Sequence, residues 1–145
     1  MKKKKYPPLY KRLNEEVHED VSKKHYCAST RTYMRSSWEV DVANILDLLG
    51  IEFQYEPRRF YFRKERESYL PDFYLPEYKV WIEVKGFYDQ RSQKRMRLFK
   101  KYYNTETLFM IFKEEYEQIV RDPFYLKILI DSANKERERR ERRQM

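Results

Sequence analysis

Glycine is almost absent from this chain: there are two in 145 residues, Gly50 and Gly86. No Gly/Ser linker divides the sequence, and residues this scarce are expected where the backbone needs them. Cysteine is rarer still. Cys27 is the only one, so no intrachain disulfide can form, which fits a reducing compartment. Neither His18 nor His25 gives Cys27 a second ligand pair at zinc spacing, so neither a structural zinc site nor histidine-based nuclease chemistry is expected. Long apolar runs are missing too. The longest near the middle, Leu108–Phe112, is far too short to span a bilayer. Met1–Lys5 has the charge of a signal-peptide start, but Tyr6-Pro7-Pro8 stands where an apolar stretch should follow. The expectation is a soluble, cytoplasmic protein with no membrane contact and no small-molecule cofactor.

What is present is aromatic and basic. Fourteen Tyr and nine Phe raise the aromatic share to 17%, and hydrophobic residues make up 41%, enough for one globular domain at this length. The 32 Lys+Arg outnumber 24 Asp+Glu, giving a net charge of +8 and a pI near 9.4. A basic domain of this size suits a polyanionic partner, most commonly nucleic acid, although charge alone also fits a merely soluble basic protein.

Residues 1–34 read as a basic N-terminal arm, with Lys2–Lys5 flexible and a short helix around Tyr10–Val21. The first clear helix runs from Ser37 to Leu49. Ser36 and Glu39 form an S-x-x-E capping pattern, Gly50 follows as a stop, and Trp38, Val42, Ile45, Leu46 and Leu49 make one apolar stripe. Ile51–Tyr55 and Phe60–Phe62 read as strands, and Tyr69–Leu75 and Tyr78–Val84 as a hairpin about Pro76-Glu77. A basic helix at Arg91–Tyr103, a buried strand at Leu108–Phe112 and a helix opened by Asp122-Pro123 and buried over Phe124–Ile130 complete a domain over residues 35–131. Residues 132–145 are charged throughout Lys135–Arg143 and read as a solvated helix extension or a tail. This order of elements implies an α/β fold with a mixed central sheet flanked by helices.

The segment Tyr69–Leu75 followed by Val80–Gly86 carries the chemistry. Strand side chains alternate, so Val80, Ile82 and Val84 share a core face while Trp81, Glu83 and Lys85 share the opposite one. Asp72 precedes Glu83 by eleven residues, a separation at which a hairpin partner sets the two carboxylates side by side. Paired carboxylates suit Mg²⁺, a hard ion that prefers oxygen ligands, and a neighbouring lysine can orient and help deprotonate a water. Taken alone, Glu83-Val84-Lys85 is also an ordinary surface salt bridge. Glu39 falls at the edge of the apolar stripe and can face the sheet, although capping accounts for it equally well.

Pro71-Asp72 with Glu83-Val84-Lys85 resembles the PD-(D/E)xK nuclease signature. The wider set Arg35–Glu39, Tyr55-Glu56-Pro57, Tyr69–Phe73 and Trp81–Gly86 is similar to small endonucleases of phages and mobile elements, of junction-resolving, very-short-patch-repair-like and homing types. The resemblance spans roughly Arg35 to Tyr116. It implies a restriction-endonuclease-like core, DNA as substrate, Mg²⁺ as cofactor (with Mn²⁺ able to substitute) and a homodimer that cuts two strands. By position it makes Asp72, Glu83 and Glu39 metal ligands and Lys85 the water-activating lysine. Both the lysine and the helix carboxylate are present, which favours an active enzyme over a decayed copy.

Arg91, Lys94, Arg95 and Arg97 on the basic helix, with Lys94 nearest the site, would contact phosphates, as would Arg58 and Arg59 in a second cluster that includes Arg63, Lys64 and Arg66. A solvated amphipathic helix and ordinary cross-strand packing describe these segments equally well. The expected activity is structure-specific cleavage of branched DNA. The alternatives are a site-specific nicking or homing-type nuclease, or a non-cleaving DNA-binding module on the same fold.

Overall fold

The computed structural model describes residues 25–145. Its elements are β1 (His25–Cys27), β2 (Thr32–Met34), α1 (Ser37–Leu48), β3 (Gln54–Tyr55), β4 (Phe60–Phe62), β5 (Glu67–Tyr69), β6 (Phe73–Leu75), β7 (Val80–Val84), α2 (Gln90–Tyr102), β8 (Thr107–Ile111), α3 (Lys113–Arg121) and α4 (Phe124–Arg143). The expected Lys2–Lys5 arm and Tyr10–Val21 helix lie outside the described residues.

β7 is the organising strand because all five of its residues are buried. That requires cover on both faces, and the alternation of its side chains decides which cover each one meets. Ile82 and Val84 enter one core together with Val42, Ile45 and Leu46 of α1, Ile119 of α3 and Leu126 of α4. Trp81 enters a second core with Phe60, Phe62, Tyr69, Met96 and Phe99, closed by α2 and the β4–β5 hairpin. The four-stranded sheet runs β3-β6-β7-β8. β3, β6 and β7 pair antiparallel and β8 joins β7 in parallel. The molecule is thus α/β with a mixed central sheet, as the pattern implied. No helix among the described residues is long and apolar enough to cross a membrane.

Three expectations are revised, and one further helix is added. The stretch 69–75 is two strands: β5 pairs with β4 and β6 with β7. Pro71 separates them, since it lacks a ladder donor and pushes Leu70 away from regular pairing. Residues 25–34, read from sequence as part of an arm, form the β1–β2 hairpin, whose Cys27 and Met34 are fully buried in the first core. The segment 113–121 had no assignment and is α3, with Tyr116 and Ile119 buried and Val120 half-buried on one face. Of Ile51–Tyr55 only Gln54 and Tyr55 are strand.

The C-terminal segment takes the helical alternative. Asp122 accepts from the Phe124 amide (3.2 Å) and α4 continues to Arg143. Arg137 donates to the Tyr78 carbonyl (2.9 Å) and Arg140 to the Thr105 carbonyl (2.9 Å), tying the charged extension to the body.

Scarce glycine leaves its mark on the turns. Gly50 has φ +71 after α1, but Arg31, Glu56, Arg66 and Lys79 carry positive φ as well. Gly86 serves a close approach instead: a Cβ there would stand 3.4 Å from the Trp38 ring. Trp38 also stacks on Tyr116 (4.2 Å), whose hydroxyl donates to buried Asp41. These contacts fix the start of α1 against the end of β7.

Candidate functional site

Asp72 sits one residue before the β6–β7 ladder, just beyond the paired Phe73 and Ile82. Its amide donates to Glu83 Oε1 (3.2 Å), while its own Oδ2 accepts from the Val84 amide (2.7 Å). The two acids are therefore locked together by reciprocal side-chain-to-backbone bonds. Both are 6% exposed.

Glu39 comes from the first turn of α1 and is also buried. Ser36 Oγ accepts from the Glu39 amide (3.2 Å) and donates to Glu39 Oε2 (2.8 Å), so capping and inward orientation are one arrangement. The Tyr55 hydroxyl donates to Glu39 Oε1 (2.5 Å) and fixes the other oxygen. The sequence left capping and an inward-facing carboxylate as alternatives; the geometry contains both.

Glu56 is the acid that sequence reasoning passed over. Its amide donates to the Asp72 carbonyl (2.8 Å), and its positive φ turns the chain at the end of β3. One carboxylate oxygen each from Glu39, Glu56 and Asp72 lies within 4.8 Å of the others. The available signal was its place in Tyr55-Glu56-Pro57. Arg35 Nε donates to Glu56 Oε2 (2.7 Å) and offsets part of the charge.

So many acids in so little water raise one another's pKa. Burial, then the charges of Glu83 and Glu39, holds Asp72 well above the usual carboxylate range. Burial lifts Glu83 to about 7 against the pull of the adjoining Tyr69 hydroxyl and of Lys85, and burial also raises Glu39 despite its two hydroxyl donors. The Tyr55 and Tyr69 hydroxyls are pushed up by burial and by the adjoining acids, so they remain donors.

All four carboxylates and the half-buried Lys85 line one cleft of about 400 Å³, with Arg59, Ser92, Arg95 and Tyr69 also on its walls. Of the other basic residues singled out from sequence, Arg91, Lys94 and Arg97 line a separate shallow depression on the exposed side of α2. Lys94 therefore does not reach the cleft; the helical turn that presents Arg95 and Ser92 inward aims Lys94 outward. Arg58 lies over the Phe60 ring (4.2 Å). Glu67 pairs with Arg95 (3.5 Å) and Arg91 (3.6 Å), restraining both.

The donor set fits a hard divalent ion. It is made wholly of oxygens, three of them close enough to share one small cation, and Asp72 and Glu39 are raised by burial first and then by neighbouring charge, which a cation would offset. Asp72, Glu39 and Glu56 would hold it, with Glu83 adjoining Asp72. Compared with protein-family models, curated proteins and solved structures, the chain matches none.

Proposed function

We propose that this chain is a Mg²⁺-dependent DNA endonuclease hydrolysing phosphodiester bonds in this cleft. The observation that carries the reading is the convergence of four acids and Lys85 on one basic-rimmed cavity. The Pro71-Asp72…Glu83-Val84-Lys85 signature supports it, as does the net charge of +8.

A bound Mg²⁺ would supply Lewis acidity, polarising a phosphate oxygen and making an attacking water more acidic. The protein's own residues do the rest. The Val84 amide and the Asp72 amide hold the two strand carboxylates in fixed rotamers, so the oxygens do not rearrange during reaction. Lys85 offsets negative charge near Glu83 and stands where it can orient a water. Arg59 and Arg95 attract the phosphate backbone and set its register without reading sequence. Within this class the substrate is branched DNA cut by a homodimer, a choice resting on the motif resemblance and on a single acidic cleft among the described residues.

The test is nicking of supercoiled plasmid. Wild type nicks with Mg²⁺ and not with EDTA, and Asp72→Ala loses at least about a hundredfold. Equal nicking by wild type and Asp72→Ala would remove the assigned centre. DNA binding without any nicking would leave a non-cleaving module. Comparing a four-way junction with linear duplex of the same sequence separates the resolving from the site-specific or homing activity, and equal cutting removes the junction preference.

A further inference from the structure

Among the described residues, two buried side-chain oxygens have no hydrogen-bond partner: Glu65 Oε1 and the Tyr69 hydroxyl. Glu65 has its other oxygen satisfied by Tyr102 (2.7 Å) and lies outside the acidic cleft. The Tyr69 hydroxyl has no hydrogen bond of good geometry, although it lies close enough to the Glu83 carboxylate to interact with it electrostatically. The residue is 6% exposed and its ring packs edge-on against Phe99 (5.6 Å). It lines the cleft that holds the acids.

A buried hydroxyl without a well-formed bond is destabilising, and a phenylalanine would fill the same space without that cost. The hydroxyl is therefore placed for something that enters the cleft. It is a donor beside acceptor-only carboxylates, so what it is placed for brings acceptors of its own. A phosphate's non-bridging oxygens are such acceptors, and Arg59 and Arg95 on the same walls favour the same charge.

Resting on the endonuclease reading, we propose that Tyr69 is a further catalytic residue, its hydroxyl donating to a non-bridging oxygen of the phosphodiester being cut. The bond strengthens as that oxygen gains charge, and Tyr69 keeps its proton throughout.

Tyr69→Phe decides the matter, assayed beside wild type and Asp72→Ala. The plasmid-nicking rate falls about 10- to 100-fold. Duplex affinity, measured with Ca²⁺ in place of Mg²⁺, changes far less, and the melting temperature holds or rises because no protein bond is lost. An unchanged nicking rate overturns the assignment, since the hydroxyl then takes no part in the reaction. A lowered melting temperature overturns it too, because the hydroxyl then serves the fold. If wild type nicks no better than Asp72→Ala, the endonuclease reading has failed and takes this inference with it. That outcome is distinct from an active wild type with an equally active Tyr69→Phe.

Discussion

At the scale of the residue, the buried acids make stability depend on pH. Glu83 holds its proton to about 7, whereas an unfolded chain releases it near 4.5. Between those values the folded state binds more protons than the unfolded one, so stability falls as pH rises. Asp72 shifts in the same direction. In EDTA the melting temperature should therefore drop between about pH 5 and about pH 8, with Mg²⁺ restoring most at the upper end. Asp72→Asn keeps an oxygen for the Val84 amide and removes one charge. It should raise the EDTA melting temperature by about 2–5 °C and abolish the Mg²⁺ increment. A pH-independent melting curve would mean that these acids carry ordinary charges.

Elements were legible where periodicity was strong. The stripe from Trp38 to Leu49 gave α1, and Val80–Val84 gave β7 with its two faces, although the second core around Trp81 was not legible because its partners come from the distant β4–β5 hairpin and α2. Asp72 and Glu83 could be paired from their spacing, because a hairpin register does not depend on tertiary context. Glu56 could not: it reaches the cleft through a long-range bond to Asp72 and a positive φ, neither of which has a local pattern. The β1–β2 hairpin was hidden because its strands are three residues each. α3 had a readable signal at Tyr116, Ile119 and Val120, but its many charges hid it. The turn between β4 and β5 offers a test of what glycine scarcity costs. Arg66 is exposed with φ 55, so Arg66→Gly should stabilise by about 0.5–1 kcal/mol in chemical denaturation. A loss instead would show that the arginine side chain holds the turn.

For the whole molecule, one sheet separates two cores, and the first of them draws on distant parts of the chain. Met34, at the end of the early hairpin, is fully buried among residues of α1, the sheet, α3 and α4. Met34→Ala should cost about 2–4 kcal/mol and lower a single cooperative transition. An unaffected midpoint would mean that the hairpin is an accessory to the domain. Basic residues have a comparable spread. Arg59 and Arg95 face the cleft, while Arg91, Lys94 and Arg97 form an outer patch along α2, so a long polyanion could touch both at once.

The crossed bonds, from the Asp72 amide to Glu83 and from the Val84 amide to Asp72, make the two acids part of one scaffold. Shortening either side chain to alanine strips a backbone amide of its acceptor as well as removing a charge, so neighbouring strand ends relax together. Losses measured at the two positions will consequently overlap instead of adding, and only amide replacements that preserve the mutual grip can separate what each oxygen contributes to chemistry from what it contributes to shape.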